Sequence, residues 1–188
     1  MSDIATGKDA DFSEERLIER FNTDLANTLG NLLNRSLTMV QSYRAGRLTT
    51  SKDRGLSARA EYFTQAFDLS MSEPLIDAAL NKAIGLATEA NQFIEQSTPW
   101  KLAKQNESGA LESVLYQLTE SIRIIAILIS PVLPKAAHEI FDQLNWKMEL
   151  SGKEERFSLK DAEWGGLPDG HVVGKPVPLF PRIEGRGD

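Results

Sequence analysis

The spacing of leucines in the first quarter of the chain constrains the fold more than any other feature. Leucine recurs there every three or four residues, at Leu25, Leu29, Leu32, Leu33 and Leu37. This is the period of an α-helix that buries one apolar face. Asp11 or Ser13 can cap such a helix and Gly46 can end it. We therefore predict one long α-helix from about residue 11 to Ala45.

The same period, with helix-start residues ahead of it, predicts four more long helices. We expect them over Ser57–Leu69, from Ser72 with Pro74 in the first turn, from Ser108 through Ile129, and over Lys135–Leu144. The connections between them are short, which favours antiparallel neighbours. The sequence therefore predicts an all-α fold, an antiparallel bundle of about five helices.

The character of the chain changes after Asn145. Residues 152–188 hold seven glycines and four prolines with scattered apolar residues and no sustained helical period. We interpret this part as an extended tail held on the bundle by its apolar side chains. The predicted organisation is a flexible N-terminus (1–10), a helical bundle (11–145) and an extended C-terminal tail packed against it (146–188).

Several classes of site and location are disfavoured. The chain has no cysteine, and its two histidines do not have metal-ligand spacing, so we predict no metal site. The most apolar stretch, Ile122 to Leu133, is too short to cross a bilayer and contains Arg123. No secretion signal is visible at the N-terminus. We expect a cytoplasmic protein that does not bind a membrane.

The charge distribution is uneven. The net charge is −6, but residues 31–60 hold six cations and one anion, which is +5, so the other 158 residues carry −11. A local basic zone can attract a polyanion to an otherwise acidic body. We take Arg44, Arg47 and Lys52 as candidate phosphate contacts. The alternative is a solvated loop with ordinary cations at helix ends.

A polar strip runs along the first predicted helix. Asn27, Asn31 and Arg35 recur every four residues and therefore share one face, away from the leucines. Asparagine offers a donor and an acceptor, and arginine a planar fork of donors, which together can read the edge of a base. The alternative is that the asparagines bond to neighbouring helices and Arg35 pairs with a surface carboxylate.

A tryptophan follows the helix-start pair Thr98-Pro99. A partly exposed indole at Trp100, held by Pro99, could stack on a base, and Lys104 one turn later could meet a phosphate. The alternative is that Trp100 closes the end of the bundle. No set of residues supports catalysis.

Four segments of the chain resemble one known family. They are the motif Asp-Leu-Ala-Asn-x-x-Gly-Asn-Leu-x-x-Arg at 24–35, Pro-Trp-x-x-Ala-Lys at 99–104, Ser-Pro-Val-Leu-Pro at 130–134 and Pro-Leu-Phe-Pro-Arg at 178–182. Together they resemble the anticodon-binding domain of methionyl-tRNA synthetases over residues 9–184. The resemblance implies recognition of the CAU anticodon of methionine tRNAs. It also implies that Trp100, presented by Pro99, stacks on the wobble cytosine, and that Asn31 and Arg35, with Asn27 alongside, read it.

The ATP-handling signatures of that family are absent from this chain. The resemblance therefore implies a fragment that is not itself an enzyme and needs no cofactor, while its parent uses ATP and Mg with a catalytic domain in cis. We expect a monomer. Two alternatives remain: the anticodon-binding bundle of an isoleucyl, valyl, leucyl or cysteinyl synthetase, and a helical scaffold that binds protein.

Overall fold

The computed structural model describes residues 14–73, 75–146 and 158–183. Its helical elements are α1 (Glu14–Arg20), a π-helical segment (Phe21–Gly30), α2 (Asn31–Arg44), α3 (Ser57–Ser72), α4 (Ile76–Ser97), α5 (Pro99–Lys104), α6 (Ser108–Ile129), α7 (Pro134–Leu144) and a 3-10 turn (Leu159–Ala162). The backbone stays helical at both ends of the π-helical segment, so residues 14–44 form one continuous rod. The predicted all-α bundle of five long helices is confirmed, with no strand among the described residues.

The centre of the bundle is α6. Every residue from Ser113 to Ile129 is buried, because this helix is surrounded by α2, α3, α4, α5 and α7. A helix that is buried all round lies in the core of a protein or spans a membrane. No helix in the described ranges is long and apolar enough to cross a membrane.

The packing of α3 against α4 depends on a glycine. A Cβ atom at Gly85 would lie 2.6 Å from Cε1 of Phe63. The missing side chain lets the Phe63 ring lie directly on the backbone of α4. Any larger residue at this position would require the Phe63 ring or the helix backbone to shift.

One predicted helix start was wrong. Ser72 is the last residue of α3, not the cap of the next helix, which begins at Ile76. The Ser72 hydroxyl donates to the Asp68 carbonyl at 2.9 Å, four residues back. Serine can bond to its own helix in this way, so its presence alone does not mark a start. Pro74 lies outside the described residues.

The first helix also differs from the uniform α-helix that was predicted. Ten of its residues are π-helical, and the Thr28 hydroxyl donates to the Thr23 carbonyl five residues back, at 2.8 Å. Long π-helical runs are rare because their geometry is less favourable than that of an α-helix. The predicted caps Asp11 and Ser13, and the N-terminus 1–10, lie outside the described residues.

A buried ion pair on α6 holds the start of the described tail. The carboxylate of Glu120 accepts hydrogen bonds from the backbone N–H groups of Gly165 and Gly166, both at 2.8 Å, and of Leu167 at 3.2 Å. Arg123 pairs with this carboxylate at 2.5 Å. Neither side chain is more than 1% exposed.

The guanidinium of Arg123 completes the anchor. It donates to the carbonyl groups of Asp161 and Glu163 and lies 5.1 Å from the centre of the Trp146 ring. The tail enters this anchor through the 3-10 turn, whose capping box joins Ser158 and Asp161. This turn was not predicted, because four residues are too few to show a helical period. The boundary of the tail at residue 146 stays a prediction.

Tyr116 makes the stability of the fold depend on pH in the alkaline range. Burial raises its pKa from 10 to about 12, with Glu120 adding to the shift and Arg123 opposing it. Its hydroxyl donates to the Leu167 carbonyl at 3.1 Å. Between pH 10 and 12 the folded chain keeps a proton that the unfolded chain releases, so stability falls as pH rises.

We expect Tyr116→Phe to remove this component of the alkaline loss. Denaturant unfolding of both proteins from pH 9 to pH 12 checks it: the free energy of unfolding of the variant should fall less steeply above about pH 10. Equal slopes for the two proteins would contradict the assignment.

Candidate nucleic-acid interface

The polar strip predicted from the sequence lies along one side of a surface recess. Asn27, Asn31 and Arg35 share one face of the rod, while Leu29 and Leu33 on the opposite side are fully buried. The recess has a volume of about 310 Å³. Its remaining lining is polar, with Thr28 from the rod and Thr88, Asn91, Gln92 and Glu95 from α4. We call it the strip recess.

Arg35 is held across the strip recess by α4. Its Nη2 lies 2.6 Å from Oε1 of Glu95, whose side chain is 60% exposed. This is the pairing with a surface carboxylate that the sequence allowed as the alternative for Arg35. The guanidinium makes no other hydrogen bond to the described residues. Its Nε–H and Nη1–H groups therefore remain as donors.

The two asparagines of the strip differ in their partners. The Asn27 carbonyl oxygen accepts from Nε and Nη2 of Arg182 in the tail, at 3.0 and 2.8 Å. The Asn31 side chain is exposed and makes no hydrogen bond to the described residues. Within the described ranges, Asn27 therefore bonds to the tail and not to a neighbouring helix, and Asn31 bonds to neither.

Trp100 and Pro99 lie beyond the end of α4. Thr98 ends that helix in the left-handed conformation, with φ of 43°, and turns the chain into α5. Pro99 is buried at the first position of α5, and Trp100 is partly buried against the core. Trp100 does not line the strip recess. The structure thus brings together three of the five predicted anticodon residues, and the indole stands apart from them.

The four candidate phosphate contacts have different surroundings. Arg44 joins α2 to α6, with its Nε 3.1 Å from Glu112 and its Nη2 donating to the Ser108 carbonyl. Arg47 is exposed and donates one hydrogen bond to the Gly170 carbonyl at 3.2 Å. Lys52 and Lys104 are exposed. Arg44 therefore has the least capacity for a new partner, and the phosphate role of all four residues stays a prediction.

A second recess on the other side of the strip was missed. It has a volume of about 410 Å³ and lies between the rod and the tail. It is lined by Ala26, Asn27, Gly30, Asn31, Asn34, Pro178, Leu179, Phe180 and Arg182. Asn27 and Asn31 belong to both recesses. The signal that could have found it is the Pro-Leu-Phe-Pro-Arg motif of the tail, which supplies most of one wall.

The described residues contain no group of three or more His, Asp or Glu side chains placed to hold a metal ion. The chemistry of both recesses is that of hydrogen-bond donors and acceptors on an open surface.

Comparison with protein families matches almost the whole chain to two models. Residues 45–187 match the anticodon-binding domain of methionyl tRNA ligase, and residues 1–37 match class I tRNA synthetases of the methionyl type. The boundary between the two matches falls within the continuous rod.

Relatives and solved structures agree with these matches. The chain is 36% identical to the methionine–tRNA ligase of a Nostoc species over 98% of this chain and 36% of that protein. It is 38% identical to that of Caldanaerobacter subterraneus, over 98% of this chain and 29% of that protein. The apo methionyl-tRNA synthetase of Mycobacterium tuberculosis aligns with a TM-score of 0.82 at 28% identity, over 97% of this chain and 37% of that one.

The family matches place this helical bundle among the anticodon-binding domains of the class I aminoacyl-tRNA synthetases. The chain spans about a third of the length of the ligases that it matches. It belongs to the methionyl-tRNA ligase family, of which it is the anticodon-binding domain.

Proposed function

We propose that this domain recognises the CAU anticodon of methionine tRNAs by taking an unpaired base into the strip recess. The observation that carries the proposal is the set of donors that face the recess. Arg35 keeps Nε–H and Nη1–H available, and the amide of Asn31 is unbonded among the described residues. Bases in single-stranded loops are recognised through hydrogen bonds to edges exposed in this way.

The chemistry of the strip favours cytosine through one edge. Cytosine presents its carbonyl oxygen and ring nitrogen side by side as acceptors, and a guanidinium is a donor-only group. The 2.6 Å contact with Glu95 favours one orientation of Arg35. Because that contact is exposed, it contributes less than about 1 kcal/mol to stability. Its main effect is to orient the fork before the base arrives.

Trp100 has a separate role in this proposal. A partly buried indole next to the end of α4, outside the strip recess, offers a ring face to a second part of the anticodon loop. Stacking on an aromatic ring accepts any base, whereas the strip discriminates between bases.

Competition between RNA stem-loops tests the proposal. We expect a CAU stem-loop to bind this 188-residue chain more tightly than stem-loops with the anticodons of isoleucine, valine, leucine or cysteine tRNAs. Arg35→Ala should reduce that preference, because the fork is lost. Equal binding of all the stem-loops would contradict the proposal. A preference for another anticodon would favour a sister synthetase, and absence of salt-sensitive binding would favour a protein-binding scaffold.

Arg47 provides a test of the basic zone. Arg47→Ala should weaken binding of all stem-loops about equally and reduce the slope of log K against log salt by about one, since phosphate contacts carry no sequence information. Titrations at several salt concentrations measure this slope. Lys135→Ala at the start of α7 is the matched control: it removes one exposed cation outside the basic zone and should leave the slope unchanged. A slope in Arg47→Ala equal to that of the wild type would show that Arg47 makes no phosphate contact.

The remaining parts of the proposal concern the whole ligase. We propose that aminoacylation, with its ATP and Mg, belongs to a catalytic domain joined in cis, and that this domain itself needs no cofactor. We also propose that it acts in the cytoplasm as part of a monomeric protein. The match of residues 1–37 to the class I synthetase family supports a covalent link to such a domain.

A further inference from the structure

The described end of the tail is fastened to the rod at three points. The Phe180 ring meets the Phe21 ring edge to face, with centroids 5.9 Å apart. Asn22 exchanges two hydrogen bonds with the backbone of Ile183, both at 2.9 Å. Between them, the Arg182 guanidinium holds the Asn27 oxygen. We call these contacts the tail clasp.

Every rod residue of the tail clasp lies in the π-helical segment, Phe21–Gly30. Gly30 belongs to the same surface, because a Cβ atom there would lie 3.6 Å from the Phe180 ring. A π-helical run is less favourable than an α-helical one, so external contacts are needed to hold it. The clasp supplies such contacts at the point where the strip begins.

The contact of Arg182 with Asn27 has a chemical consequence. The side-chain amide of asparagine has an oxygen that accepts and a nitrogen that donates two hydrogens. Two N–H groups of Arg182 converge on the oxygen. The carboxamide of Asn27 therefore cannot turn over without losing both hydrogen bonds, and only its N–H groups are left for another partner.

We propose that Arg182 is a positioning residue for anticodon recognition: it fixes the Asn27 amide so that the strip recess is lined by donors at both ends. Asn27 and Arg35 both line that recess, with Asn31 between them. A strip that is restricted to donors at these positions prefers two adjacent acceptors, such as the carbonyl oxygen and ring nitrogen of cytosine, and disfavours a base whose ring nitrogen carries a hydrogen there. This inference rests on the proposed function, since it assigns a specificity role within the same site.

The test compares two variants that affect the clasp in opposite ways. Arg182→Ala frees the Asn27 amide to turn over. Asn27→Asp keeps an oxygen acceptor for Arg182, now with a negative charge, but removes the side-chain N–H donors of the asparagine. In both variants we expect the preference of the chain for a CAU stem-loop over one with an altered first anticodon base to fall about five- to tenfold. The added charge in Asn27→Asp weakens binding of every RNA, so the ratio of the two affinities is the measured quantity.

A purely structural role for Arg182 predicts a different pattern. It predicts that Asn27→Asp keeps the wild-type preference, because the tail remains held. If Arg182 instead positions the Asn27 amide as proposed, Arg182→Lys should recover the thermal stability more fully than the preference, because lysine provides a single donor group in place of the fork. Unchanged preference in Arg182→Ala or in Asn27→Asp would overturn the inference.

The side-chain amide signals of Asn27, observed by NMR in the chain without RNA, test whether Arg182 fixes the orientation of this amide. We expect a well-dispersed pair of N–H signals in the wild type that collapses toward the random-coil position in Arg182→Ala. A pair that does not shift would overturn the inference. A wild-type chain that binds all stem-loops alike would instead overturn the proposed function itself, and the role of Arg182 in base selection with it.

Discussion

Glu120→Ala is expected to destabilise the domain by about 3–5 kcal/mol, which corresponds to a fall in melting temperature of roughly 6–20 °C. The substitution leaves the guanidinium of Arg123 buried without its carboxylate. It also leaves the N–H groups of Gly165, Gly166 and Leu167 without their acceptor. Unfolding in denaturant, followed by circular dichroism, measures the loss.

A double variant distinguishes this anchor from an ordinary buried ion pair. Replacing both members of such a pair by apolar residues of similar size is often neutral. Here Glu120→Leu combined with Arg123→Met should remain destabilising, because five backbone groups of the tail lose their partners. Arg59→Ala, which breaks an exposed pair with Glu89, is the control and should cost less than about 1 kcal/mol. A double variant as stable as the wild type would show that the pair does not organise the tail.

Trp100→Ala is expected to weaken binding of a CAU stem-loop by one to two orders of magnitude. The loss of one base-stacking contact is worth about 1–3 kcal/mol. The whole ligase carrying the same change should lose aminoacylation of methionine tRNA to a similar extent, because the anticodon contact is also present in the transition state of aminoacylation. Affinity at fixed salt and the rate of tRNA charging are the two measurements.

Trp100 also packs against the core, so its variants need a control for stability. Trp100→Phe keeps an aromatic face and should retain most of the affinity, while the melting temperatures of both variants report the packing. A Trp100→Ala chain that binds as tightly as the wild type would assign the indole to the bundle end alone. That outcome is the alternative that the sequence left open.

The helices could be predicted from the sequence because their causes are local. Leucine spacing gave the rod and its buried face, and proline or glycine marked most of the breaks. The π-helical segment could not be found in this way. Leucines three and four residues apart occur in both kinds of helix, and the contacts of Phe21, Asn22 and Asn27 with the tail lie far away in sequence.

The site was only half predictable for a similar reason. The residues of one helix face can be read from their spacing, which placed Asn27, Asn31 and Arg35 together. The partners of two of these residues could not be read, because Glu95 and Arg182 lie 60 and 155 residues away. Arg123 shows the same limit. In the sequence it interrupts an apolar run, and its role appears only when the carbonyl groups of the tail reach it.

The indole of Trp100 reports most directly on whether an anticodon base reaches the bundle. With Trp146→Phe and Trp164→Phe introduced, Trp100 is the single fluorophore of its kind, and its emission can be followed during titration with a CAU stem-loop. We predict a saturable change in emission that requires a much higher concentration of a stem-loop altered at the first anticodon base. Emission that stays constant while an independent assay shows the stem-loop bound would contradict the account.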